Sequence, residues 1–336
     1  MDFSEDWLRQ TLAAFAGRRV AVVGDVMIDR YYWGNVSRIS PEAPVPVVEV
    51  ETEQVRFGGA ANVANNINSL GGTPLLIGVI GDDHAGKVFL DMLAEMNLDA
   101  SGMVVDGSRP TTMKTRVIAA GQHVVRIDNE SKVDCPEHLR HGILDAVKYR
   151  IHEIDAILVE DYNKGVLTSD VIGELIAVAR KYNKIITVDP KFNHFLDFKG
   201  VTVFKPNRRE TEEVLGGRLR TMEDITRAGA KLLEMLSAAN VLLTRGAQGM
   251  SLFQSEGTVT HIKTVADNVQ DVSGAGDTVI ATLTLALAAG VSIREACILA
   301  NCAAGFVVSQ VGIVPVTPAQ LIEATLQYAT KSMTEA

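Results

Sequence analysis

The sequence predicts an α/β fold in which a central, mostly parallel β-sheet is covered by helices on both faces and carries a small β-sheet lid. Apolar runs without alternation, such as Val20–Val23, are separated by helix-like segments along most of the chain, which is typical of parallel strands buried on both faces. Two strand groups, at about residues 30–57 and 103–128, interrupt this rhythm and mix polar with apolar positions, which suits a smaller and more exposed sheet. We therefore expect one domain over residues 1–336, with these two lid segments inserted.

The remaining elements follow from local signals. A helix begins after Gly58-Gly59 and ends before Gly71-Gly72, because paired glycines interrupt a helix. The segment Thr317–Gln320 has a capping threonine and glutamine with proline at the first helical position, so it opens the last helix. Apolar patterning predicts strands at 47–51, 75–79, 112–118, 122–128, 154–159, 185–188, 201–204, 241–244, 249–254 and 259–263, and helices at 84–96, 169–182, 208–215, 222–236, 275–289 and 293–309.

The composition excludes several classes of protein. Acidic residues outnumber basic ones by 41 to 32 in the 336 residues, whereas a general nucleic-acid binder needs a basic surface. No apolar run approaches the ~18 residues of a membrane span, and the N-terminal segment lacks the basic and apolar regions of a secretion signal. The three cysteines have no CxxC spacing and fit a reducing compartment. We expect a cytoplasmic protein that binds neither nucleic acid nor membrane.

The strongest chemical signal is the segment Asp271–Asp277, with sequence DVSGAGD, at the start of an apolar helix. Gly274, Ala275 and Gly276 leave successive backbone N–H groups unobstructed at a helix N-terminus, which favours an anion. The Asp277 carboxylate could take a proton from an attacking hydroxyl while these N–H groups hold developing phosphoryl charge. The alternative is a tight turn followed by an acidic residue that complements the helix dipole.

A second signal is the segment Gly58–Asn62, with sequence GGAAN. Gly58 and Gly59 permit close approach of a ligand to the backbone, and Asn62 offers a polyol both a donor and an acceptor. An ordinary helix start explains this segment equally well when it is taken alone. The first βα turn, Gly24–Asp29, lacks a GxGxxG fingerprint, and this disfavours a nicotinamide enzyme.

Together, the Gly58–Asn62 and Asp271–Asp277 segments resemble, in this order, the two signatures of the ribokinase-like (PfkB) carbohydrate kinases. The fold of that family matches the sheet-and-lid organisation over nearly the whole chain. Other stretches resemble the kinase part of the bacterial D-glycero-β-D-manno-heptose 7-phosphate kinases, which feed ADP-heptose synthesis. These stretches are Val22–Tyr31, Ser37–Val48, Asp161–Gly165, Asp189–Lys191 and Lys205–Glu210.

The resemblance implies that Asp277 is the general base and that Gly274–Gly276 form the anion hole. Phosphoryl transfer depends mainly on positioning and charge neutralisation, so one base, these N–H groups and Mg²⁺ suffice. Mg²⁺ is expected near Glu210 through water, although Asn207 and Glu210 also form a capping-box pattern. Many relatives bind potassium beside the anion hole, which makes K⁺ a candidate cofactor. The residues implied for ATP are Asn207, Arg208, Arg209, Glu210, Thr244, Gly246, Gly249 and Asn301.

On the sugar side, Asp29 matches the family's hydroxyl-binding aspartate. A sugar phosphate also needs cations away from the attacked hydroxyl. Lys114 and Arg116 lie two apart on one strand and so project from the same face, although lid cations are also common as solvated edge residues. The full set of substrate-binding candidates is Asp29, Gly58, Gly59, Asn62, Arg38, Lys114, Arg116, Arg126, Asp161 and Lys164.

These residues and the resemblance predict an ATP-dependent kinase that phosphorylates the anomeric (O1) hydroxyl of D-glycero-D-manno-heptose 7-phosphate. The product is the 1,7-bisphosphate, a precursor of ADP-heptose and the lipopolysaccharide core. The alternatives are a kinase of this family for another sugar or a nucleoside, and a non-catalytic sugar or nucleotide sensor on the same fold. The sequence has no His-x-Gly-His motif, so we expect the kinase step alone. Lids of these kinases commonly pair between subunits, which predicts a homodimer and would cover open strand edges.

Overall fold

The computed structural model describes residues 3–265 and 269–334. The helices in these ranges are α1 (Glu5–Ala13), α2 (Ala60–Ser69), α3 (His84–Glu95), α4 (Glu137–Arg150), α5 (Ser169–Lys181), α6 (Arg208–Leu215), α7 (Met222–Leu236), α8 (Ala275–Ala288), α9 (Ile293–Val307) and α10 (Pro318–Thr334). The strands are β1 (Arg19–Gly24), β2 (Val26–Ile39), β3 (Pro46–Gly59), β4 (Thr73–Gly81), β5 (Met103–Asp106), β6 (Met113–Ala119), β7 (Gln122–Asn129), β8 (Ala156–Glu160), β9 (Ile185–Asp189), β10 (Val203–Phe204), β11 (Asn240–Thr244), β12 (Met250–Gln254) and β13 (Val259–Ile262).

The large sheet has the strand order β13-β12-β11-β10-β9-β8-β1-β4-β5. The strands from β11 to β5 pair in parallel, whereas β12 and β13 pair antiparallel at one edge. Side chains of β1 alternate between two apolar cores, with Val20 and Val22 on one face and Ala21 and Val23 on the other. This arrangement confirms the predicted mostly parallel sheet that is covered on both faces.

The two cores contain different helices. Apolar residues of α1, α2, α8, α9 and α10 pack on one face of the large sheet, and those of α4, α5 and α7 pack on the other. Helix α8 is buried along most of its length, because it lies against the sheet with α2 and α9 beside it. This central position brings the N-terminus of α8 to the carboxyl ends of the parallel strands, where ligands bind in open α/β sheets.

The small sheet has the strand order β3-β2-β6-β7 and is joined closely to the large one. Strand β2 starts two residues after β1 ends, and β3 ends at Gly59, immediately before α2. The first half of β2 is largely buried and its last five residues are exposed. The small sheet is therefore attached at the carboxyl edge of the large sheet and extends away from it into solvent.

One predicted boundary of the small sheet is wrong. Residues 103–128 were expected to lie in the lid, but Met103–Asp106 forms β5, which pairs in parallel with β4 at the edge of the large sheet. An edge strand has one uncovered side, so its mixed polar and apolar pattern resembles that of a lid strand. The second segment of the small sheet begins at Met113, and the first extends over β2 and β3 from Val26 to Gly59.

Candidate active site

Three acidic side chains lie at the carboxyl ends of neighbouring strands of the large sheet. Glu160 and Asp189 are the last residues of β8 and β9 and are paired in register, while Asp25 directly follows β1. The backbone N–H of Asp25 donates to the Glu160 carbonyl at 3.1 Å, which continues the ladder beyond the strand end. These strands converge on the N-terminus of α8, where the sequence places its most specific motif.

Asp277 lies buried in the first turn of α8. Its Oδ2 accepts a hydrogen bond from Asn62 Nδ2 at 2.7 Å, and its Oδ1 accepts one from the Tyr162 hydroxyl at 3.0 Å. Gly274, which precedes the helix, has φ +77° and lies against Asn62, since a Cβ on Gly274 would come within 3.1 Å of Asn62 Nδ2. The fold therefore brings the Gly58–Asn62 and Asp271–Asp277 segments into direct contact.

The environment of Asp277 suits a base. Burial, together with the negative charge of Asp189, raises the pKa of this carboxyl to about 6, although the hydrogen bonds from Asn62 and Tyr162 and the charge of Lys205 act in the opposite direction. A carboxylate with this pKa is ionised at neutral pH, and it accepts a proton more readily than an exposed aspartate does.

A buried lysine lies beside the predicted anion hole. Lys205 Nζ pairs with Asp189 Oδ2 at 2.7 Å, and a Cβ on Gly276 would lie 3.6 Å from this Nζ. Burial opposes the charge of Lys205, but Asp189 and Glu160 outweigh it and raise the pKa of the lysine above its usual value. The positive end of the α8 dipole and a buried ammonium group thus face the same space, which suits the negative charge of a phosphoryl group.

The same region contains oxygen ligands that fit Mg²⁺. Glu160, Asp189 and Asp277 are buried and offer carboxylate oxygens that all lie within 4.8 Å of one another. Within residues 3–265 and 269–334, neither carboxylate oxygen of Glu160 has a hydrogen-bond partner. Burial and the charges of Asp189 and Asp277 raise the pKa of Glu160 well above its usual value. Unpartnered carboxylate oxygens are the ligands that Mg²⁺ prefers, so Glu160 could hold the ion at this cluster.

The predicted metal contact at Glu210 has a different setting. Glu210 Oε2 accepts from the Asn207 N–H at 2.8 Å, and Asn207 Oδ1 accepts from the Glu210 N–H at 2.9 Å, so the two residues form the capping box of α6. Glu210 Oε1 pairs with Lys191 Nζ at 2.7 Å. Both carboxylate oxygens of Glu210 are thus bound to protein groups, and a metal contact through water at this position stays a prediction.

An apolar cleft of about 220 Å³ is lined in part by Ala275 and Gly276, two residues of the predicted anion hole. It collects four of the residues predicted for ATP, namely Thr244, Gly246, Gly249 and Asn301. Gly249 has φ +81°, and a Cβ there would come within 2.1 Å of the Ile262 carbonyl oxygen, so this turn requires glycine. The cleft has the position and the apolar lining expected for a nucleotide base beside its phosphates.

Two predicted ATP residues lie elsewhere. Arg208 Nε pairs with Glu212 Oε1 at 3.2 Å on the surface of α6. Arg209 is exposed and lines a separate groove with Glu212 and Arg218. Neither arginine is among the described residues that line the cleft. Both arginines follow Asn207 directly in the chain, which is why ATP binding is predicted for them as well. Successive side chains in the first turn of a helix point in different directions, so neighbours in sequence need not face the same ligand.

In the region predicted to bind the sugar, Asp29 is buried in β2 and forms an ion pair with Arg116 of β6. A Cβ on Gly58 would come within 2.4 Å of Asp29 Oδ2, so glycine is needed there to leave room for the carboxylate. Gly59 has φ +56°, and a Cβ there would lie 2.3 Å from the Asp25 carbonyl oxygen. Burial raises the pKa of Asp29, although the Arg116 charge opposes this effect.

Lys114 and Lys164 both form ion pairs with the carboxylate of Glu130, a residue that sequence analysis did not single out. Lys114 Nζ lies 2.9 Å from Glu130 Oε2, and Lys164 Nζ lies 2.8 Å from Glu130 Oε1. Burial opposes ionisation of Glu130, but the hydrogen bonds from Lys164 and Lys114 outweigh it and lower the pKa of the carboxyl to about 2. Two lysines from different elements thus hold one anionic group between them.

The other candidates of the small sheet are more peripheral. Arg126 Nε pairs with Asp128 Oδ1 at 2.9 Å on exposed β7, and Arg38 is exposed in the outer half of β2. Asp161 is buried after β8, where its Oδ1 accepts from the Asn163 N–H at 2.7 Å. Burial, together with the charge of Asp25, raises the pKa of Asp161 to about 6.

Comparison with known proteins identifies the family. The model of the pfkB family carbohydrate kinases matches residues 18–320. The chain belongs to this family. It is therefore a sugar kinase, a phosphotransferase that acts on an alcohol group, and enzymes of this class use ATP and a divalent metal. Within the described ranges, no helix combines the length and apolar character needed to cross a bilayer.

Similar curated proteins are longer than this chain. The bifunctional protein HldE of Geobacter sulfurreducens is 44% identical over 314 residues, which cover 93% of this chain and 64% of that protein. The bifunctional protein HldE of Helicobacter pylori strain J99 is 43% identical over 295 residues, covering 88% of this chain and 64% of the relative. This pfkB-family chain thus spans slightly less than two thirds of these relatives.

Solved structures of other kinases share the fold. Arabidopsis thaliana ribokinase complexed with ribose and ATP matches with a TM-score of 0.72 and 20% identity, covering 92% of this chain and 99% of that one. Escherichia coli phosphofructokinase-2 in complex with substrates and products matches with a TM-score of 0.76 and 17% identity, covering 93% and 99%. These likenesses show that the fold is ribokinase-like.

Proposed function

We propose that this kinase transfers the γ-phosphoryl group of ATP to the anomeric (O1) hydroxyl of D-glycero-D-manno-heptose 7-phosphate. The observation that carries this proposal is the pair Lys114 and Lys164, which binds an anionic carboxylate beside the strand that holds Asp29. A pair of ammonium groups that holds a carboxylate can also bind a phosphate, which distinguishes a sugar phosphate from a neutral sugar. Two comparisons support this substrate: several stretches of the sequence resemble heptose 7-phosphate kinases, and the chain is 43–44% identical to bifunctional HldE proteins.

In the proposed reaction, the sugar hydroxyl oxygen forms a bond to the γ-phosphorus and the bond from that phosphorus to the bridging oxygen of ADP breaks. Asp277 takes the hydroxyl proton, and its buried position keeps water from competing for it. The N–H groups at Gly274–Gly276 and the Lys205 ammonium face the transferring group and stabilise its charge. Mg²⁺, when bound, supplies further neutralisation of phosphate charge. Potassium beside the anion hole is part of the same proposal.

Asp29 orients the sugar in this proposal. Its carboxylate is fixed by Arg116 and lies next to Gly58, where a side chain would displace it. A carboxylate can accept from two adjacent hydroxyls, and a buried one discriminates against sugars that leave it unpaired. The adenine side of ATP is proposed to enter the apolar cleft lined by Thr244, Gly249 and Asn301.

One observation favours a second candidate, a kinase of this family for an unphosphorylated sugar or nucleoside. Glu130 already forms an ion pair with both Lys114 and Lys164, so each lysine has an anionic partner without a phosphate. A non-catalytic sensor on this fold is a weaker alternative, because the chain belongs to a family of carbohydrate kinases.

The test is ADP release in Mg²⁺, with and without K⁺, on heptose 7-phosphate, ribose, fructose and fructose 6-phosphate. Strong preference for heptose 7-phosphate is expected. Turnover of a plain sugar alone would favour the second candidate and remove the lysine pair from the substrate site. Inactivity on every sugar would favour the sensor.

The small sheet also supports a proposed homodimer. Its strands carry several apolar side chains that are exposed in a single chain, and a second copy of the sheet could cover them. These side chains are Val36, Ile39, Val50, Val124, Val125 and Ile127.

A further inference from the structure

The two carboxylate oxygens of Asp277 accept hydrogen bonds from side chains in two different parts of the chain, Asn62 and Tyr162. Asn62 belongs to the Gly58–Asn62 segment, which already pointed to the site. Tyr162 lies in the loop after β8, and its hydroxyl donates to Asp277 Oδ1 at 3.0 Å. Sequence analysis gave this tyrosine no role, although it contacts the carboxylate that is proposed to take the proton.

The backbone around Tyr162 is fixed by Asp25 at the end of β1. Asp25 Oδ2 accepts from the N–H groups of Tyr162 at 2.7 Å and Lys164 at 3.1 Å. Asn163 between them has φ +54°, and Gly165 has φ +81° with its Cα hydrogen so close to Val133 that a Cβ would lie 2.2 Å from the Val133 carbonyl oxygen. A loop tied at this many points presents the Tyr162 side chain in a defined direction before any ligand binds.

The ring and hydroxyl of Tyr162 are also held. Lys191 Nζ lies 5.0 Å from the ring centroid, a cation–π contact, and is anchored by its ion pair with Glu210 at 2.7 Å. Burial, together with the negative charges of Asp277 and Glu160, raises the pKa of the Tyr162 hydroxyl well above its usual value. The hydroxyl acts as the donor in this contact, because the ionised carboxylate of Asp277 can only accept.

We propose that Tyr162 is a positioning residue for Asp277, holding the carboxylate by Oδ1 so that it faces the acceptor hydroxyl in one orientation. The inference rests on the proposed function in one respect, namely that Asp277 takes the proton. Hydrogen bonds to both oxygens restrict rotation of the carboxylate about χ2. Without the Tyr162 hydroxyl, Asn62 alone would hold one oxygen, and the ionised form of Asp277 would lose a stabilising donor.

The test removes only the hydroxyl, by Tyr162→Phe in the full chain. With the sugar that the wild-type enzyme uses best, kcat should fall about ten- to a hundredfold, because misorientation of a general base has costs of this order. The KM values for ATP and sugar should change less than about threefold, since Tyr162 acts on the base in the transition state. The acidic limb of the plot of kcat against pH should move to higher pH.

Tyr182→Phe is the matched control. Tyr182 packs edge-on against His152, with 5.1 Å between the ring centroids, in the apolar core formed with α4, α5 and α7. This control should leave kcat, the two KM values and the pH profile unchanged.

A second measurement does not depend on activity. In protein labelled with ¹³C at the aspartate carboxyl carbons, the Asp277 signal is identified by its loss in Asp277→Asn, and its titration midpoint is compared in the wild type and in Tyr162→Phe. A higher midpoint in Tyr162→Phe supports the inference, and an equal midpoint with an unchanged kcat overturns it. Inactivity of the wild type on every sugar would instead overturn the proposed function, and the titration would still decide the role of Tyr162.

Discussion

Asn62 and Asp277 are 215 residues apart in the chain, yet Asn62 Nδ2 lies 2.7 Å from Asp277 Oδ2 and both side chains are buried. The contact links the helix that follows the small sheet to the helix that carries the predicted anion hole. Asn66 strengthens this link, because it donates to the Asn62 carbonyl at 2.9 Å and accepts from the Thr278 hydroxyl at 3.1 Å. The proposed base is therefore positioned by α2 as well as by its own helix.

Asp277→Asn should bind ATP and sugar and lose phosphoryl transfer by roughly two to four orders of magnitude, because an amide cannot accept the hydroxyl proton. Rates are measured by ADP release, and binding of each ligand by calorimetry. Normal turnover by this variant would show that another group acts as the base.

The raised pKa of Asp277 predicts two opposite dependences on pH. Activity should rise with pH through about 6, because the ionised form is the base. Stability should fall over the same range, since the folded state binds this proton more tightly than the unfolded chain, whose aspartate pKa is ~3.9. The stabilising contribution of the proton is therefore complete below about pH 4 and lost as pH rises through about 6.

Asp277→Asn should accordingly gain in free energy of unfolding relative to the wild type as pH is raised from about 5 to 8, by about 1.4 kcal/mol. Urea denaturation at each pH measures this difference. Asp145→Asn is the control, because Asp145 is an exposed residue of α4 and should show no such trend. A constant difference for Asp277→Asn would contradict the burial argument.

Lys164→Met should raise the KM for heptose 7-phosphate about ten- to a hundredfold, the range expected for loss of one hydrogen bond between charged groups. The KM for ATP should stay within about threefold of the wild type, because Lys164 lies on the proposed sugar side. Lys132→Met is the matched control, since Lys132 Nζ also approaches Glu130, at 3.7 Å, but its side chain is 73% exposed. Equal sugar KM values in the two variants would remove Lys164 from the phosphate site.

Gly58→Ala should displace the Asp29 carboxylate, because the new methyl group would lie 2.4 Å from Asp29 Oδ2. We expect weaker sugar binding and a loss of about 1–3 kcal/mol in the free energy of unfolding, as for other overpacked sites. Gly217→Ala provides the comparison, since nothing lies within 4 Å of a Cβ at that position. Steady-state kinetics and thermal denaturation distinguish the two variants.

The proposed dimer predicts that Ile39→Asp combined with Ile127→Asp yields a monomer in sedimentation experiments. These side chains are 60% and 57% exposed on the small sheet, so the charges should not disturb the fold of a single chain. Val105→Asp on edge strand β5, which is 52% exposed, should leave the association state unchanged. A wild-type protein that sediments as a monomer would refute the proposal.

Much of the architecture could be predicted because its signals are local. The continuous apolar run at Val20–Val23 indicates a strand buried on both faces, and the glycines before Asp277 indicate a helix N-terminus open to an anion. Helix α1, at Glu5–Ala13, was not predicted, because its three buried positions in nine residues form only a weak apolar stripe. Strand β5 was assigned to the wrong sheet for the related reason that a short edge strand carries little pattern.

Two contacts at the site join residues that lie far apart in the chain, and no local pattern in the sequence indicates them. Tyr162 meets Asp277 across 115 residues, and a single tyrosine after a strand is compatible with many roles. Glu130 is equally inconspicuous, although its carboxylate forms ion pairs with both Lys114 and Lys164. A parallel sheet brings the ends of non-consecutive strands together, so the strand order must be known before such partners can be identified.

Strand β2 carries buried Asp29 near its base and exposed Ile39 at its tip, within one run of fourteen residues. A second subunit that binds the exposed end of β2 would restrict the motion of the same strand that presents Asp29 to the sugar. Self-association and sugar capture would then be thermodynamically linked, each raising the affinity of the other, even though the two surfaces do not touch.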